Sequence, residues 1–427
     1  MKACVIGLGK IGLPLVAQYS SRGIEVIGLD VDEGVVGKLN KGESAVREEP
    51  GLEEMIKEGF GKGLIKGTTN PEKAISESDV IVVIVPLIVD REMEPDFRAL
   101  DDVTSKIGKS LSKGKTVIYE TTLPVGTTRN RFKAALEKES GLECEKDFYL
   151  AFSPERVNSG TIFRNLKEYP KIVGGIGPES GRKAKEFYEK ALEPEVIVVE
   201  KPEEAEMVKL CGMVYRDTNI GLANEFARLA AKKGIDITKV IGCANTIPHT
   251  HILSPGIGVG GHCAPVYPHF LAKNERELGL EPLVTGGARK INDDMPAFAV
   301  GLLEKEMGCV KGKKILLLGL SYRGDVKEIS FAPSLDVIRI LKGKGADVYV
   351  HDPCFSRGEI ETAGVAFAEN EYAGADAAVL MSLHAQYRKL DAGKMKKSGV
   401  KFFLDGRNAF DREMFEKNGI KYTGVGR

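Results

Sequence analysis

The sequence predicts an α/β fold of two doubly wound, Rossmann-like lobes joined by a helical central region with a long spine helix. Three observations carry that expectation. Strand-length apolar runs alternate with helical patterns through the first part of the chain: ACVIGLG, EVIGLD, DVIVVIVP, TVIYET, FYLAFSPE, KIVGG and VIVVE. Their hydrophobicity is continuous rather than alternating, which marks strands covered on both faces and hence a parallel sheet wound with helices. A long helical pattern follows, and KKILLLGLSYRG then opens a second β/α series with ADVYVHDP, ADAAVLMSL and KFFLDGRN.

Taken in order, the first element is a strand ending in GLGKIG, where Gly7, Gly9 and Gly12 form GxGxxG at the start of a helical pattern. Such glycines give a tight turn, let backbone approach a pyrophosphate and allow close helix packing, while the helix N-terminus attracts phosphate charge. The next strand ends at Asp30, where a carboxylate can accept hydrogen bonds from a ribose diol and repel a 2′-phosphate. NAD is therefore favoured over NADP; the alternative is a glycine-rich turn that binds nothing.

From Pro202 to Gly234 one helix is expected, with Val208, Cys211, Tyr215, Leu222, Phe226 and Leu229 at three- and four-residue steps. At 1.5 Å per residue it spans roughly 50 Å, longer than one domain needs. It suits a spine that links two lobes and packs against a second subunit. The second glycine strand lacks the dinucleotide spacing, since Gly319 and Gly324 do not make GxGxxG. Arg323, Asp352 and Arg407 lie just beyond strand ends, where doubly wound folds bind ligands. The arginines can grip phosphate there, or stand as solvated loop charge.

Composition bounds the function. The 427 residues imply two or three folded units, and lysine plus arginine balances aspartate plus glutamate at 61 each. Nothing in that balance predicts nucleic acid or an anionic membrane as partner, so a small, locally bound ligand is expected. The start, MKACVIGLGKIG, reads as a buried strand and turn rather than a signal peptide, and no apolar run approaches a membrane span, so an intracellular, cytoplasmic protein is expected. Seven cysteines are scattered without any CxxC, against both a disulfide framework and a zinc ribbon. Cys4 in a strand and Cys211 on a helix read as buried small apolar residues.

Cys263 reads differently. It stands in SPGIGVGGHCAPVYPHF, among glycines and prolines where neither helix nor strand readily forms. A thiolate is a strong nucleophile, and a glycine-rich loop lets substrate and backbone N–H groups come close. The rival is a metal site, because His249, His251, His262 and His269 place four of the six histidines nearby. Their spacing matches no common zinc motif, and only one thiolate is at hand. A buried structural cysteine is the third reading.

The motifs GLGKIGLPLV, ETTLPVGTT, SPERV, AEMVKL with YRDTNIGLANE, GGHCAP, GLSYRGD and LDGRN occur in the order found in the nucleotide-sugar 6-dehydrogenases, which the chain resembles over nearly its whole length. That family oxidises UDP-glucose, UDP-N-acetylmannosamine and related sugars to uronic acids with two NAD+. The resemblance implies an NAD-binding domain at 1–200, a central helical dimerisation domain at 201–300 and a UDP-binding domain at 301–427. It matches Cys263 to the nucleophile that forms a thiohemiacetal and then a thioester. Lys209 matches the lysine that stabilises the oxyanion, Glu155 the glutamate of hydrolysis and proton transfer, and Thr122 the threonine that positions water or the C6 hydroxyl. Cofactor contacts are implied for Gly7, Gly9, Lys10, Ile11, Gly12, Asp30, Pro86 and Thr122. Substrate contacts are implied for Glu155, Arg156, Val157, Lys209 and Arg216, and for His249, Gly260, Arg323 and Arg407. No metal is implied.

The chain departs from the family pattern at several points. An asparagine after the lysine is Met213 here, an aspartate after the cysteine is Tyr267, and the arginine of a ReSP-like motif is Ser330 in KEISFAPS. His249 replaces a sugar-contacting arginine, and VPTP reads VPLI with only Pro86 kept. An outlying branch with a different hexosamine accounts for these changes, a degraded enzyme being the alternative. GGHC and SPERV resemble the N-acetylhexosamine branch, so UDP-N-acetylmannosamine ranks first, then UDP-N-acetylglucosamine and UDP-glucose. Two other classes compete: a two-electron 3-hydroxyacid dehydrogenase, which would not need Cys263, and a non-catalytic sensor of NAD and a UDP-sugar.

Overall fold

A computed structural model describes residues 1–90 and 92–427. It contains two compact units, Met1–Gly212 and Met213–Arg427. Among the described residues no helix is long and apolar enough to cross a membrane.

The first unit is built on an eight-stranded sheet in the order Val196–Val199, Lys171–Gly175, Tyr149–Phe152, Thr116–Tyr119, Val80–Val83, Lys2–Ile6, Glu25–Leu29, Ile65–Thr68. Its central strands are buried from Ala3 to Ile6, Val80 to Val83 and Thr116 to Tyr119, as the continuous apolar runs require. One junction departs from the parallel expectation: Tyr149–Phe152 and Lys171–Gly175 pair antiparallel. The chain reverses there through the SPERV loop and the helix Ile162–Glu168, whose seven residues reach only about 10 Å and cannot serve as a full crossover. Strand order turns back at Lys2–Ile6, which pairs with both Glu25–Leu29 and Val80–Val83. That switch point puts GLGKIG and the VPLI segment at the crevice where such sheets take ligands.

The second unit holds helices Ile237–Ala244, Tyr267–Glu277 and Leu283–Met307 and an all-parallel six-stranded sheet. Its strand order is Ala366–Phe367, Asp347–His351, Lys314–Leu318, Ala377–Leu380, Phe402–Asp405, Lys421–Gly424. Helices and sheet share one core: Ala223, Ala227, Ile237 and Met295 cluster with Ile315, Leu317 and Val379.

The long helix runs Pro202–Lys233, and the division between the units falls within it. Apart from Leu210, its inward residues are mostly small or polar, among them Ala205, Glu206 and Lys209, then Ala223, Asn224, Ala227 and Ala230. Most of the apolar stripe read from the sequence faces outward instead: Tyr215 is 63% exposed and Leu229 59%, with Leu222 and Phe226 also open. Cys211 lies on that outer side and is exposed, which corrects the expectation that it is buried; Cys243 and Cys309 are exposed as well, whereas Cys4 is buried.

Candidate active site

In the first unit the GLGKIG turn has the division of labour that its glycines predict. Gly7 takes φ +97°, and its N–H donates to Leu29 O at 2.9 Å. A Cβ on Gly12 would stand 1.7 Å from Gly7 O, so only glycine lets the helix Gly12–Ser21 begin there. A Cβ on Gly9 would meet nothing within 4 Å, so no protein atom explains that glycine, and the space above it is open to a ligand. Asp30 accepts from Leu8 N–H at 2.6 Å with one oxygen and from Asp32 N–H at 3.0 Å with the other. This cradle fits a dinucleotide: an open backbone N–H turn at a helix start, beside a carboxylate with lone pairs to spare. Lys10 and Pro86 are exposed on its rim, and Ile11 is half-buried.

Two strand ends on the same sheet carry ETTLPVGTT and SPERV. Glu155 N–H donates to Glu120 O at 3.3 Å, tying the two segments together. The Glu120 carboxylate is buried, where it meets Lys171 Nζ at 2.8 Å and accepts from the hydroxyls of Tyr19 and Tyr188. Burial and this neighbouring carboxylate drive both phenol pKa values well up, so the tyrosines stay protonated donors. Thr122 is buried, and Thr121 Oγ1 donates to Val85 O at 2.5 Å.

Lys209 comes from the long helix to the SPERV loop. Its ammonium donates to Glu155 O at 2.6 Å and to Glu155 Oε2 at 3.3 Å, with side-chain exposures of 7% for the lysine and 15% for the glutamate. The structure thus brings together two residues that lie far apart in sequence and whose pairing no local pattern predicts. Val157 N–H donates to the other Glu155 oxygen, and Arg156 to Pro170 O. Burial lowers the Arg156 pKa, the Glu155 charge opposing it. A cavity of ≈ 30 Å³, about one water in size, is lined by Ile11, Glu120, Glu155, Arg156 and Lys171, so cofactor loop and carboxylate share one wall.

In the second unit Cys263 closes the glycine loop and is partly exposed. Its carbonyl accepts from Val266 N–H at 3.1 Å and Tyr267 N–H at 2.9 Å, turning the chain into the helix Tyr267–Glu277. The loop lies flat on the segment after Lys314–Leu318: a Cβ on Gly260 would stand 2.6 Å from Tyr322 Cβ, and Gly261 N–H donates to Ser330 O at 2.8 Å. His262 Nε2 stands 2.8 Å from a Glu328 oxygen and hydrogen-bonds with Ser330 Oγ at 3.2 Å. Ser330, where the family pattern has an arginine, therefore holds the cysteine loop by backbone and side chain. His249 and Arg216 are exposed, as is Arg323 beside the Tyr322 ring. The histidines of 249–269 do not gather around Cys263 as a ligand set. Among the described residues one His/Cys/Asp/Glu trio has ligand atoms within 4.8 Å, Asp352, Cys354 and His384.

Arg407 is partly buried: it donates to Met381 O and Tyr322 O, each at 2.8 Å, and braces the crevice of the second sheet. Sequence reasoning also missed a polar clamp behind the cysteine loop. Asn219 accepts from Leu253 N–H at 2.9 Å, Asn224 accepts from Gly256 N–H at 2.9 Å, and Asn224 donates to Asn292 at 2.8 Å. Asn292 in turn donates to Asp217, which pairs with Arg289 at 2.6 Å. Amides on the inner face of a helix were the available signal, because a buried amide must find partners.

The sequence matches three domains of one family, the UDP-glucose/GDP-mannose dehydrogenases: the NAD binding domain over residues 1–192, the central domain over 203–294 and the UDP binding domain over 316–412. It is 35% identical to the UDP-N-acetyl-D-mannosamine dehydrogenase of Pyrococcus horikoshii, with 100% of this chain and 99% of the relative covered. The structure of UDP-D-ManNAc dehydrogenase from that organism superposes with TM-score 0.89 at 33% identity, covering 100% of this chain and 99% of the other. A UDP-glucose dehydrogenase from Pyrobaculum islandicum superposes with TM-score 0.88 at 26% identity, covering 100% and 97%. Open cofactor cradle, paired lysine and glutamate, and glycine-bound cysteine thus occur in a chain that belongs to the UDP-glucose/GDP-mannose dehydrogenase family.

Proposed function

We propose that the protein is an NAD-dependent nucleotide-sugar 6-dehydrogenase that oxidises the C6 alcohol of UDP-N-acetyl-D-mannosamine to a carboxylate. The observation that carries the reading is the nearly buried pair of Lys209 and Glu155, an ammonium and a carboxylate held at the end of the cofactor sheet. Bound NAD+ supplies the hydride acceptor at each of the two oxidations. Lys209 places positive charge where O6 becomes negative, an interaction stronger in the transition state than in the ground state. The Cys263 thiolate adds to the C6 aldehyde to give a thiohemiacetal, whose oxidation leaves a thioester. Covalent capture keeps the aldehyde from escaping between the two oxidations. Thr122 orients the attacking water and Glu155 takes its proton, releasing carboxylate and thiol. His249, Arg323 and Arg216, exposed cationic or titratable groups of the second unit, are the side chains offered to the sugar nucleotide.

The choice of sugar rests on GGHC and SPERV and on relatives named for UDP-N-acetyl-D-mannosamine. The exposed apolar stripe at Tyr215, Leu222, Phe226 and Leu229 supports a homodimer packed along the long helix. Scattered cysteines without any CxxC support a reducing, cytoplasmic setting. The deciding experiment measures NADH released per molecule of limiting UDP-sugar, across UDP-N-acetylmannosamine, UDP-N-acetylglucosamine and UDP-glucose, with product mass. Two NADH and a uronic acid from the first sugar are expected. One NADH with an aldehyde or ketone product would exclude the thioester route, and no turnover with bound ligands would favour a sensor.

A further inference from the structure

We propose that Glu206 is a positioning residue for this reaction: its carboxylate fixes the turn that follows Thr122 to the helix that carries Lys209. The inference rests on the dehydrogenase reading for its catalytic consequence, and on the first unit alone for its geometry. Glu206 is fully buried. One oxygen accepts from Gly126 N–H at 2.5 Å, and the other accepts from Thr128 N–H at 2.8 Å and from Thr128 Oγ1 at 2.7 Å. Every one of these donors belongs to the end of ETTLPVGTT. The turn between is tight, with Thr127 Oγ1 donating to Pro124 O at 2.7 Å, so displacement of residues 126–128 is passed back to Thr122. Gly126 adopts φ +92°, and a Cβ there would press on Asn130 Nδ2 at 3.0 Å. The backbone is shaped to turn these N–H groups onto one carboxylate.

The same helix face continues the pattern. Glu203, Glu206 and Lys209 follow at three-residue steps; Glu203 binds Arg129 at 2.6 Å, and Lys209 binds Glu155. One helical stripe thus holds both segments that carry the proposed catalytic groups. A purely structural contact at a buried site is met more cheaply by an apolar side chain, since an ion must be desolvated. The charged groups around Glu206 are Glu203 one turn earlier, Arg129 from the segment Thr128–Lys133 and Lys209 one turn later; Arg129 and Lys209 each bind another carboxylate. Burial pushes the Glu206 carboxyl up to about 7, the three donors oppose the rise and Glu203 adds to it. On protonation one oxygen becomes an O–H that faces N–H donors, and the turn loosens.

The test compares wild type with Glu206→Gln and Thr128→Ala. It measures kcat and KM for UDP-N-acetylmannosamine and NAD+ from pH 6 to 9, together with hydrogen exchange in the peptide 120–133. Glu206→Gln is expected to lower kcat at pH 8 at least tenfold, leave KM for NAD+ within twofold, abolish the acid limb near pH 7, and speed exchange of the 126 and 128 amides at least tenfold. Thr128→Ala should fall between. Wild-type kcat, acid limb and exchange in both variants would overturn the proposal, as would a lower melting temperature with kcat per folded molecule and acid limb unchanged. Should Glu206→Gln not fold, Thr128→Ala decides by the same readouts. If wild type turns over no UDP-sugar, the dehydrogenase reading fails, and exchange still decides whether Glu206 holds the turn.

Discussion

Replacing Gly9 by alanine should separate cofactor binding from folding. A Cβ there meets no protein atom within 4 Å, and Gly9 does not adopt a left-handed backbone. The folded state therefore tolerates the methyl, and reduced freedom of the unfolded chain stabilises the variant by about 0.4–1 kcal/mol. For a unit of this size that is a melting temperature unchanged or raised by about 1–4 °C. The same methyl stands where the backbone must approach a pyrophosphate. Losing one charge-assisted N–H bond costs about 1.5–3 kcal/mol, which is roughly a 10- to 150-fold rise in the NAD+ dissociation constant. Gly12→Ala gives the opposite signature: a Cβ 1.7 Å from Gly7 O demands a backbone shift and should destabilise the unit by about 1–3 kcal/mol or more. Because the chain has no tryptophan, titration calorimetry and scanning calorimetry are the assays. Gly9→Ala binding NAD+ as tightly as wild type would refute the assignment of this loop to the pyrophosphate.

Cys263→Ser should reduce uronic acid formation by at least about 100-fold while NAD+ and UDP-sugar still bind, as checked by product mass and calorimetry. Lys209→Met should lower kcat by about 10²–10³. Asp352 is held at about 2; burial raises its pKa, but the His384 and backbone hydrogen bonds outweigh it. A depressed carboxyl stabilises the fold above its unfolded pKa near 4, and that contribution disappears as pH falls through about 4 to 2. The gap corresponds to about 2–3 kcal/mol, so Asp352→Asn should lower the melting temperature at pH 7 and flatten its decline below pH 4.

Central strands were legible, whereas of the edge strands only Val196–Val199 was among the runs read. In the two large sheets the strands absent from the sequence reading, Ile65–Thr68, Ala366–Phe367 and Lys421–Gly424, each lie at an edge. In Ile65–Thr68 and Lys421–Gly424 burial alternates and no continuous apolar run forms; Lys66 and Lys421 point to solvent. The long helix shows the converse. Its extent followed from periodicity, but most of its apolar stripe lay outside and its inner face was mostly alanine, asparagine and charge. Hydrophobic periodicity locates a face that wants cover without saying which body covers it. At the site, GxGxxG and the isolated Cys263 could be read locally. The pairing of Lys209 with Glu155, the Glu206 clamp and the hold of Ser330 on Gly261 depend on residues dozens of positions apart that only the fold brings together.

The two sheets solve the same local problem and reach different capacities for ligand. Each first strand ends in a glycine with φ near +100°, Gly7 and Gly319, and each following strand ends in an aspartate that accepts from the turn, Asp30 and Asp352. A carboxylate offers about four lone-pair positions. Asp30 gives two of them to Leu8 and Asp32 N–H and is partly exposed, so it retains acceptors for a ribose diol. Asp352 accepts from Leu320, Ser321 and Cys354 N–H and from Ser321 Oγ, stands 3.1 Å from His384 Nε2, and is buried. Its acceptors are consumed by its own loop. Gly324 stands five residues after Gly319 as Gly12 does after Gly7, and both are closed in, but the place of the open Gly9 is taken by Ser321, whose N–H and hydroxyl both bind Asp352. Similar backbones thus leave a vacant acceptor in one lobe and a braced, self-satisfied loop in the other, and the difference lies in a few side chains after the glycine strand.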